Sequence, residues 1–211
     1  IFVKMIGCKR TGGDMEGKEL HIFPTLVMSF DLSGKYDKDL LVADYVHQEH
    51  GLIESENNDS GSSYGYAVRY LDNNTNFHDL KNTLQECVDV YIDKMRIMEC
   101  KITNSWINLY KPGSKAKLHR HEASIISGAF YPKVIGEGAG KLKLHSPLRP
   151  YRMYDLFTSE TPMNTYYQYL NPKEGMLYLF PSWCDHETEV SYAEERYVLS
   201  FNTDYTKNMP T

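Results

Sequence analysis

Two histidines spaced two residues apart, His119-Arg-His121, are the residues of this chain best suited by type and spacing to hold a metal ion. On an extended strand, side chains at i and i+2 point to the same side, so both imidazoles can reach one ion while Glu122 points away. A third histidine, His186, stands in Trp183-Cys-Asp-His-Glu187, just after the apolar run Met176 to Phe180. Neutral imidazole suits Fe, Zn, Cu and Ni alike, so these ligands alone do not name a metal. An H-x-H pair is also common where no metal binds. His21, His47, His50, His78 and His145 lack such company and read as surface or structural residues.

Ten residues after His186 comes Arg196, with Val198, Ser200 and Asn202 following at strand spacing. These four share one face, while Tyr197, Leu199 and Phe201 make a fully apolar opposite face. A guanidinium cannot be neutralised and presents a planar fork that pairs bidentately with carboxylate. Turned into a barrel beside a metal, it needs an anionic partner, because an unpaired buried charge is costly. A dicarboxylic co-substrate would answer both needs, chelating the ion at one end and pairing with arginine at the other. The alternative is a surface arginine paired with Glu194 or Glu195.

The elements that position these groups are short strands. After Cys100 the pattern predicts strands near 102–110, 118–122, 125–133, 140–145, 165–170, 175–180, 185–190 and 196–203, separated by Gly, Pro and Asn turns. Eight such strands predict a double-sheet jelly roll. Upstream, Leu80, Leu84, Cys87, Val88, Tyr91, Ile92 and Met95 draw one apolar stripe on a helix over about 76–98. A shorter helix is expected over about 37–50, and a first strand over 21–30. Residues 1–20 read as an irregular lead-in, and 54–63 as a polar, mobile loop. The expected division is an N-terminal strand and helical support region, 1–99, and a jelly-roll core, 100–211, in a single compact unit with the helices packed on one sheet.

The 211 residues and the 41% hydrophobic content suffice for one sizeable core. With 23 basic and 28 acidic residues, net −5, and no basic run, nucleic acid is not expected as a partner. Cys8, Cys87, Cys100 and Cys184 are scattered and form no C-x-x-C pair, which suits reduced thiols better than a disulfide framework. No apolar run approaches membrane-spanning length, and residues 1–18 lack a signal-peptide pattern. Together these lead to the expectation of a cytoplasmic protein (host cytoplasm if viral) that does not engage a membrane.

Six segments resemble a known family in order and spacing. They are Trp106-Ile-Asn-Leu-Tyr-Lys-Pro-Gly113, His119-Arg-His121, Ser127-Gly-Ala-Phe-Tyr131, Gly138-Ala-Gly-Lys-Leu-Lys-Leu144, Pro172-Lys-Glu-Gly-Met-Leu-Tyr-Leu-Phe-Pro181, and His186 with Arg196-Tyr-Val-Leu-Ser-Phe-Asn202. The chain over roughly 100–203 resembles the Fe(II)/2-oxoglutarate-dependent dioxygenases, in their prolyl-4-hydroxylase-like branch, and there the small oxygenases of phages and marine bacteria.

The resemblance implies Fe(II) held by His119 and His186, and a 2-oxoglutarate co-substrate whose far carboxylate meets Arg196 and Tyr131. Tyr110 falls on the pocket wall, and Ser200 on the same face as Arg196. It also implies O2 as a reactant and a hydroxylated peptide or small molecule, a peptidyl proline first among them. One position departs from the family, which carries H-x-D or H-x-E. His121 here leaves either a three-histidine site or a missing third ligand. Two other classes stay open: a three-histidine dioxygenase that needs no 2-oxoglutarate, and a non-catalytic metal- or ligand-binding jelly roll.

Overall fold

A computed structural model describes residues 3–10, 13–20, 24–46, 51–52, 60–64, 69–72, 75–148, 159–161 and 164–206; for 3–20, 46 and 51–52 it describes the backbone alone. In chain order the elements are β1 (Val3–Arg10), β2 (Gly13–Leu20), β3 (Met28–Asp31), α1 (Lys38–Val46), β4 (Gly51–Leu52), β5 (Gly61–Ser62), α2 (His78–Met95), β6 (Cys100–Tyr110), β7 (Ile126–Ile135), β8 (Leu142–His145), β9 (Tyr167–Leu170), β10 (Met176–Pro181), β11 (His186–Thr188) and β12 (Glu195–Tyr205). Two short 3-10 turns, Tyr70–Asp72 and Thr75–Phe77, lead into α2.

Seven strands form the large sheet, in the order β3-β10-β7-β12-β6-β5-β4, and β11-β8-β9 form a small one. Isolated bridges Ser114↔Ser191 and His119↔His186 add the segment 114–119 to the edge of the small sheet. From β6 onward the chain therefore alternates between sheets as a jelly roll does. Strands β6, β7, β10 and β12 lie in the large sheet, and 114–119, β8, β9 and β11 in the small one.

The two faces of the large sheet explain the composition of its strands. Ile107, Leu109, Phe130, Leu179, Tyr197 and Leu199 form one cluster with Leu41 and Tyr45 of α1 and with Leu80, Leu84, Val88 and Tyr91 of α2. On the opposite face Tyr110, Tyr131, Phe180 and Val198 pack with Leu142 and Leu144 of the small sheet. Strands covered on both faces lose the simple alternation of polar and apolar residues, and the first seven residues of β7 are all buried. Helix α1 starts where Asp37 accepts hydrogen bonds from the backbone N–H groups of Asp39 and Leu40, both at 3.0 Å. Met95, the last residue of the predicted α2 stripe, is exposed.

Close approach fixes one residue of this sheet. A Cβ at Gly128 would fall 2.2 Å from the Phe201 ring on the neighbouring strand, so only glycine lets the ring lie over β7.

Three expectations are corrected. Residues 3–10 and 13–20 form an antiparallel strand pair, Val3↔Leu20 through Arg10↔Gly13, and not an irregular lead-in. Its glycines and charges hide the period-2 signal, yet backbone pairing needs no apolar side chain. The expected first strand is confined to Met28–Asp31, with Pro24 ahead of it outside the ladder, and residues 21–23 lie outside those described. The end of the expected mobile loop is built into the sheet edge. Ser63 N–H donates to Ile107 O at 2.9 Å, its hydroxyl accepts from Ile107 N–H at 3.0 Å, and Ser60 Oγ accepts from Lys111 N–H at 2.9 Å. Ser60 and Ser63 are buried, and residues 53–59 lie outside the described set. Small hydroxyl side chains read as loop in sequence but serve here as backbone partners.

Candidate active site

His119, His121 and His186 converge at the mouth of the barrel, with their ligand atoms all within 4.8 Å of one another. The backbones of His119 and His186 exchange two hydrogen bonds, of 2.9 and 2.8 Å, which fixes the imidazole pair from below. The predicted strand over 118–122 is corrected to a single bridge at His119. Beyond it His121 N–H donates to Ser182 O at 3.0 Å, and the chain turns, with Ser124 N–H reaching His121 O at 3.3 Å. The tie to Ser182 holds His121 beside its neighbour without a ladder. Glu122 points outward, its side chain 74% exposed and paired with Arg120.

Each imidazole is oriented through Nδ1. His119 Nδ1 meets Lys117 O at 2.6 Å, and His186 Nδ1 meets Cys184 O at 2.9 Å. A carbonyl only accepts, so both rings carry their proton on Nδ1 and present an Nε2 lone pair. His121 Nδ1 lies 2.9 Å from Asn202 Nδ2. Aromatic neighbours fix the ring planes: Trp106 stacks on His121 at 5.6 Å between centroids, and Phe180 meets His186 edge-on at 4.9 Å. Burial, helped by His119, pushes the His121 imidazole down to about 4 and the His186 imidazole down to about 3. Both are thus neutral, as metal ligands must be.

These low values have a consequence for the metal-free protein. Below about pH 6.5 an unfolded chain protonates both imidazoles while the fold still excludes the charge. Stability therefore falls as the pH drops through the ordinary histidine range, and levels off near 3–4. For the buried His186 the slope approaches about 1.4 kcal/mol per pH unit. The unfolding midpoint of His186→Leu is expected to depend less on pH than that of the wild type between pH 6.5 and 4. Equal slopes would contradict this.

Behind the histidines lies a cavity of about 350 Å³, lined among others by Trp106, Tyr110, Tyr131, Thr188, Ser200 and Asn202. Arg196 is wholly buried, although Glu194 and Glu195 adjoin it in sequence. Glu195 turns instead toward Lys111 and Lys133, at 3.8 and 3.7 Å. The Arg196 guanidinium lies 4.2 Å from the Tyr110 ring centroid and donates to the carbonyls of Ala139 and Gly140, the latter at 2.6 Å. Its second terminal nitrogen reaches Thr188 Oγ1 at 3.4 Å, while Nε is buried with no partner. Arg196 does not itself line the cavity, but it touches Tyr110 and Thr188, which do. Gly140 sits at φ +68, and a Cβ there would fall 2.4 Å from Glu189 O, so glycine is needed to bring that carbonyl onto the arginine. Burial opposes the arginine's charge, with Tyr131 and Tyr110 offsetting part of that effect. Burial also raises the Tyr110 and Tyr131 hydroxyls, which stay protonated donors.

Among the histidines read as structural, His145 bonds Glu187 at 3.0 Å on the small sheet, and His78 opens α2 in an exposed position. His21, His47 and His50 lie outside the described residues. Cys87, Cys100 and Cys184 are buried free thiols.

Residues 104–202 match the model of a family described as "Putative 2OG-Fe(II) oxygenase". The matched stretch runs from β6 into β12 and takes in all three histidines and Arg196. No curated protein matches the chain. Solved structures share the fold at low identity. A prolyl-4-hydroxylase of Pseudomonas putida is 13% identical, with 86% of this chain and 94% of that one covered and a TM-score of 0.57. HygX of Streptomyces hygroscopicus, solved with nickel and 2-oxoglutarate, is 11% identical over 87% and 84% of the two chains, with a TM-score of 0.58. The viral collagen prolyl hydroxylase vCPH of Paramecium Bursaria Chlorella virus-1, in its 2OG complex, is 15% identical over 86% and 96%, with a TM-score of 0.55.

The residues present fit the family's Fe(II) and 2-oxoglutarate. Three imidazoles converge, two of them with Nε2 free to coordinate, and a buried guanidinium nitrogen lacks a partner within one residue of the cavity wall. Sequence reasoning did not assign roles to Trp106, Phe180, Ser127, Ser182 or Thr188. Only strand alternation pointed at Asn202, by placing it on the polar face of β12. No described helix is long and apolar enough to cross a membrane.

Proposed function

We propose that this chain is a 2-oxoglutarate-dependent hydroxylase whose iron is held by His119, His121 and His186. The observation that carries this reading is the convergence of those three rings at the opening of a cavity whose far side meets a buried arginine. Bound Fe(II) supplies O2 activation coupled to oxidative decarboxylation of 2-oxoglutarate, and thus oxidation of a substrate C–H bond. The protein's own residues do the rest. His119, His121 and His186 present neutral nitrogens and leave coordination positions open. Arg196 and the protonated Tyr131 receive the far carboxylate of the co-substrate, whose pairing completes the hydrogen bonding of the guanidinium. Tyr110 and Ser200 shape the wall around its carbon chain. Trp106 and Phe180 hold the rings in place and exclude water.

The substrate enters over the histidine side, where exposed Tyr64 packs edge-on against Trp106. An aromatic wall of this kind suits the flat, apolar flank of a proline ring, and the prolyl hydroxylases among the structural neighbours favour a peptidyl proline as first substrate. Succinate release in the presence of Fe(II), 2-oxoglutarate and O2, stimulated by proline-rich peptides that gain one oxygen, tests the reading. Oxygen uptake by a substrate without 2-oxoglutarate would favour the co-substrate-independent alternative.

The position where the chain leaves the family gives a further test. His121→Asp restores the usual carboxylate and is expected to keep iron and to retain or increase 2-oxoglutarate turnover. Glu122→Gln, at an exposed outward position, is expected to leave iron affinity within about 2-fold of wild type, as surface substitutions do. Loss of iron in Glu122→Gln would show that the carboxylate is the third ligand.

A further inference from the structure

The three histidines are not held alike. His119 and His186 each face a backbone carbonyl through Nδ1, a partner that can only accept. His121 faces the amide nitrogen of Asn202, a partner that donates. With that amide as donor, His121 Nδ1 carries the lone pair and the ring proton sits on Nε2, the nitrogen left to meet an ion. Two rings are therefore set to coordinate, and the third is set against it.

The surroundings of Asn202 permit the opposite arrangement. Asn202 Oδ1 accepts from Ser127 Oγ at 2.8 Å, and Ser127 Oγ lies 2.8 Å from Ser182 Oγ. Asn202, Ser127 and Ser182 are all buried, on β12, on β7 and just past β10. A half-turn of the amide would place Oδ1 against His121 Nδ1 and Nδ2 against Ser127 Oγ. A hydroxyl both donates and accepts, so Ser127 can take the amide N–H and donate on to Ser182. His121, Asn202 and Ser127 keep their partners in either setting, while Ser182 Oγ changes from donor to acceptor toward Ser127. The same Ser182 accepts the His121 backbone N–H through its carbonyl, so chain and ring are anchored to one residue.

We infer that Asn202, with Ser127 and Ser182 behind it, is a positioning residue that switches His121 between a non-coordinating and a coordinating tautomer. The inference rests on the three-histidine reading of the site. On loading, His121 gives its Nε2 proton to solvent and takes one from solvent at Nδ1, so the ring stays neutral and the proton count is unchanged. The Asn202 amide turns to accept that new N–H. A carboxylate at position 121 would coordinate through oxygen and would need no such change of tautomer.

Imidazole 15N shifts of the full chain, measured without metal and with Zn(II), distinguish the two tautomers ring by ring. Expected without metal is Nε2–H for His121 and Nδ1–H for His119 and His186; with Zn(II), Nδ1–H for all three. Asn202→Asp places an acceptor on Nδ1 permanently, and should give Nδ1–H at His121 even without metal, and tighter Zn(II) binding. Asn202→Leu, of similar volume but with no hydrogen bond, should weaken Zn(II) binding about 10–100-fold, as loss of an outer partner of a ligand does. A metal-free wild type with Nδ1–H at His121 would overturn the switch while leaving the three-histidine site standing. So would an unchanged tautomer and affinity in Asn202→Asp. Zn(II) that binds while His121 keeps Nε2–H, with an Nδ1 shift unchanged from the metal-free state, would overturn both, since neither nitrogen of His121 would then be a ligand.

Discussion

His186→Ala is expected to lower iron affinity by more than about 100-fold while the protein remains folded. Loss of a mere outer partner of a ligand costs about 10–100-fold, and removing the ligand itself costs more. His186 is the most buried of the three rings, oriented by Cys184 O and by the Phe180 edge. Its pairing with His119 runs through the backbone, so the strand bridge survives the substitution. The truncation also removes a buried imidazole that resists protonation, which offsets part of the cavity left behind. Iron binding by equilibrium dialysis and far-UV circular dichroism read the two effects separately. Unchanged iron affinity would remove His186 from the site.

Arg196→Met is expected to raise the 2-oxoglutarate concentration needed for half-maximal turnover about 10–100-fold, the loss of one charge-assisted carboxylate pairing of about 1.5–3 kcal/mol. Iron affinity should stay within about 3-fold of wild type, because the guanidinium touches none of the three histidines. Methionine keeps the apolar stem packing. It leaves the carbonyls of Ala139 and Gly140 without their donor, so the unfolding free energy should drop by about 1–3 kcal/mol per group that finds no water. Arg196→Lys keeps a charge but not the fork, and is expected to fall between the two. A variant that loses iron and keeps its co-substrate dependence would show that Arg196 supports the metal and not the carboxylate.

The parts of this site that were legible in the sequence are those set by short-range geometry. The i, i+2 spacing pointed to His119 and His121 as a pair, although the structure holds His121 in place through the Ser182 carbonyl and not through a strand ladder. The alternation of β12 separated Val198, Ser200 and Asn202, which line the cavity, from Tyr197 and Leu199, which pack with the helices. Illegible was whatever depends on a distant partner. Glu194 and Glu195 left a surface pairing open for Arg196, and only the fold shows the carbonyls of 139 and 140 and the Tyr110 ring that enclose it. Ser60 and Ser63 read as loop because their backbone partners lie 51 and 44 residues away, just past and on β6. The strand pair of 3–10 and 13–20 was illegible for the opposite reason: its pairing is local, but glycine and charge dilute the alternation that signals a strand. Asn202 carries no signal of its own, since nothing in a strand sequence tells which imidazole an amide will meet.

The central claim is that one barrel binds Fe(II) through the histidines and 2-oxoglutarate through both the iron and Arg196. An anaerobic titration of the purified chain, first with Fe(II) and then with 2-oxoglutarate, tests it most directly. Expected is a weak visible metal-to-ligand charge-transfer band that saturates at one co-substrate per iron, is lost in His186→Ala, and needs more 2-oxoglutarate in Arg196→Met. Iron that binds tightly at His119, His121 and His186 but gives no such band at any 2-oxoglutarate concentration would contradict it.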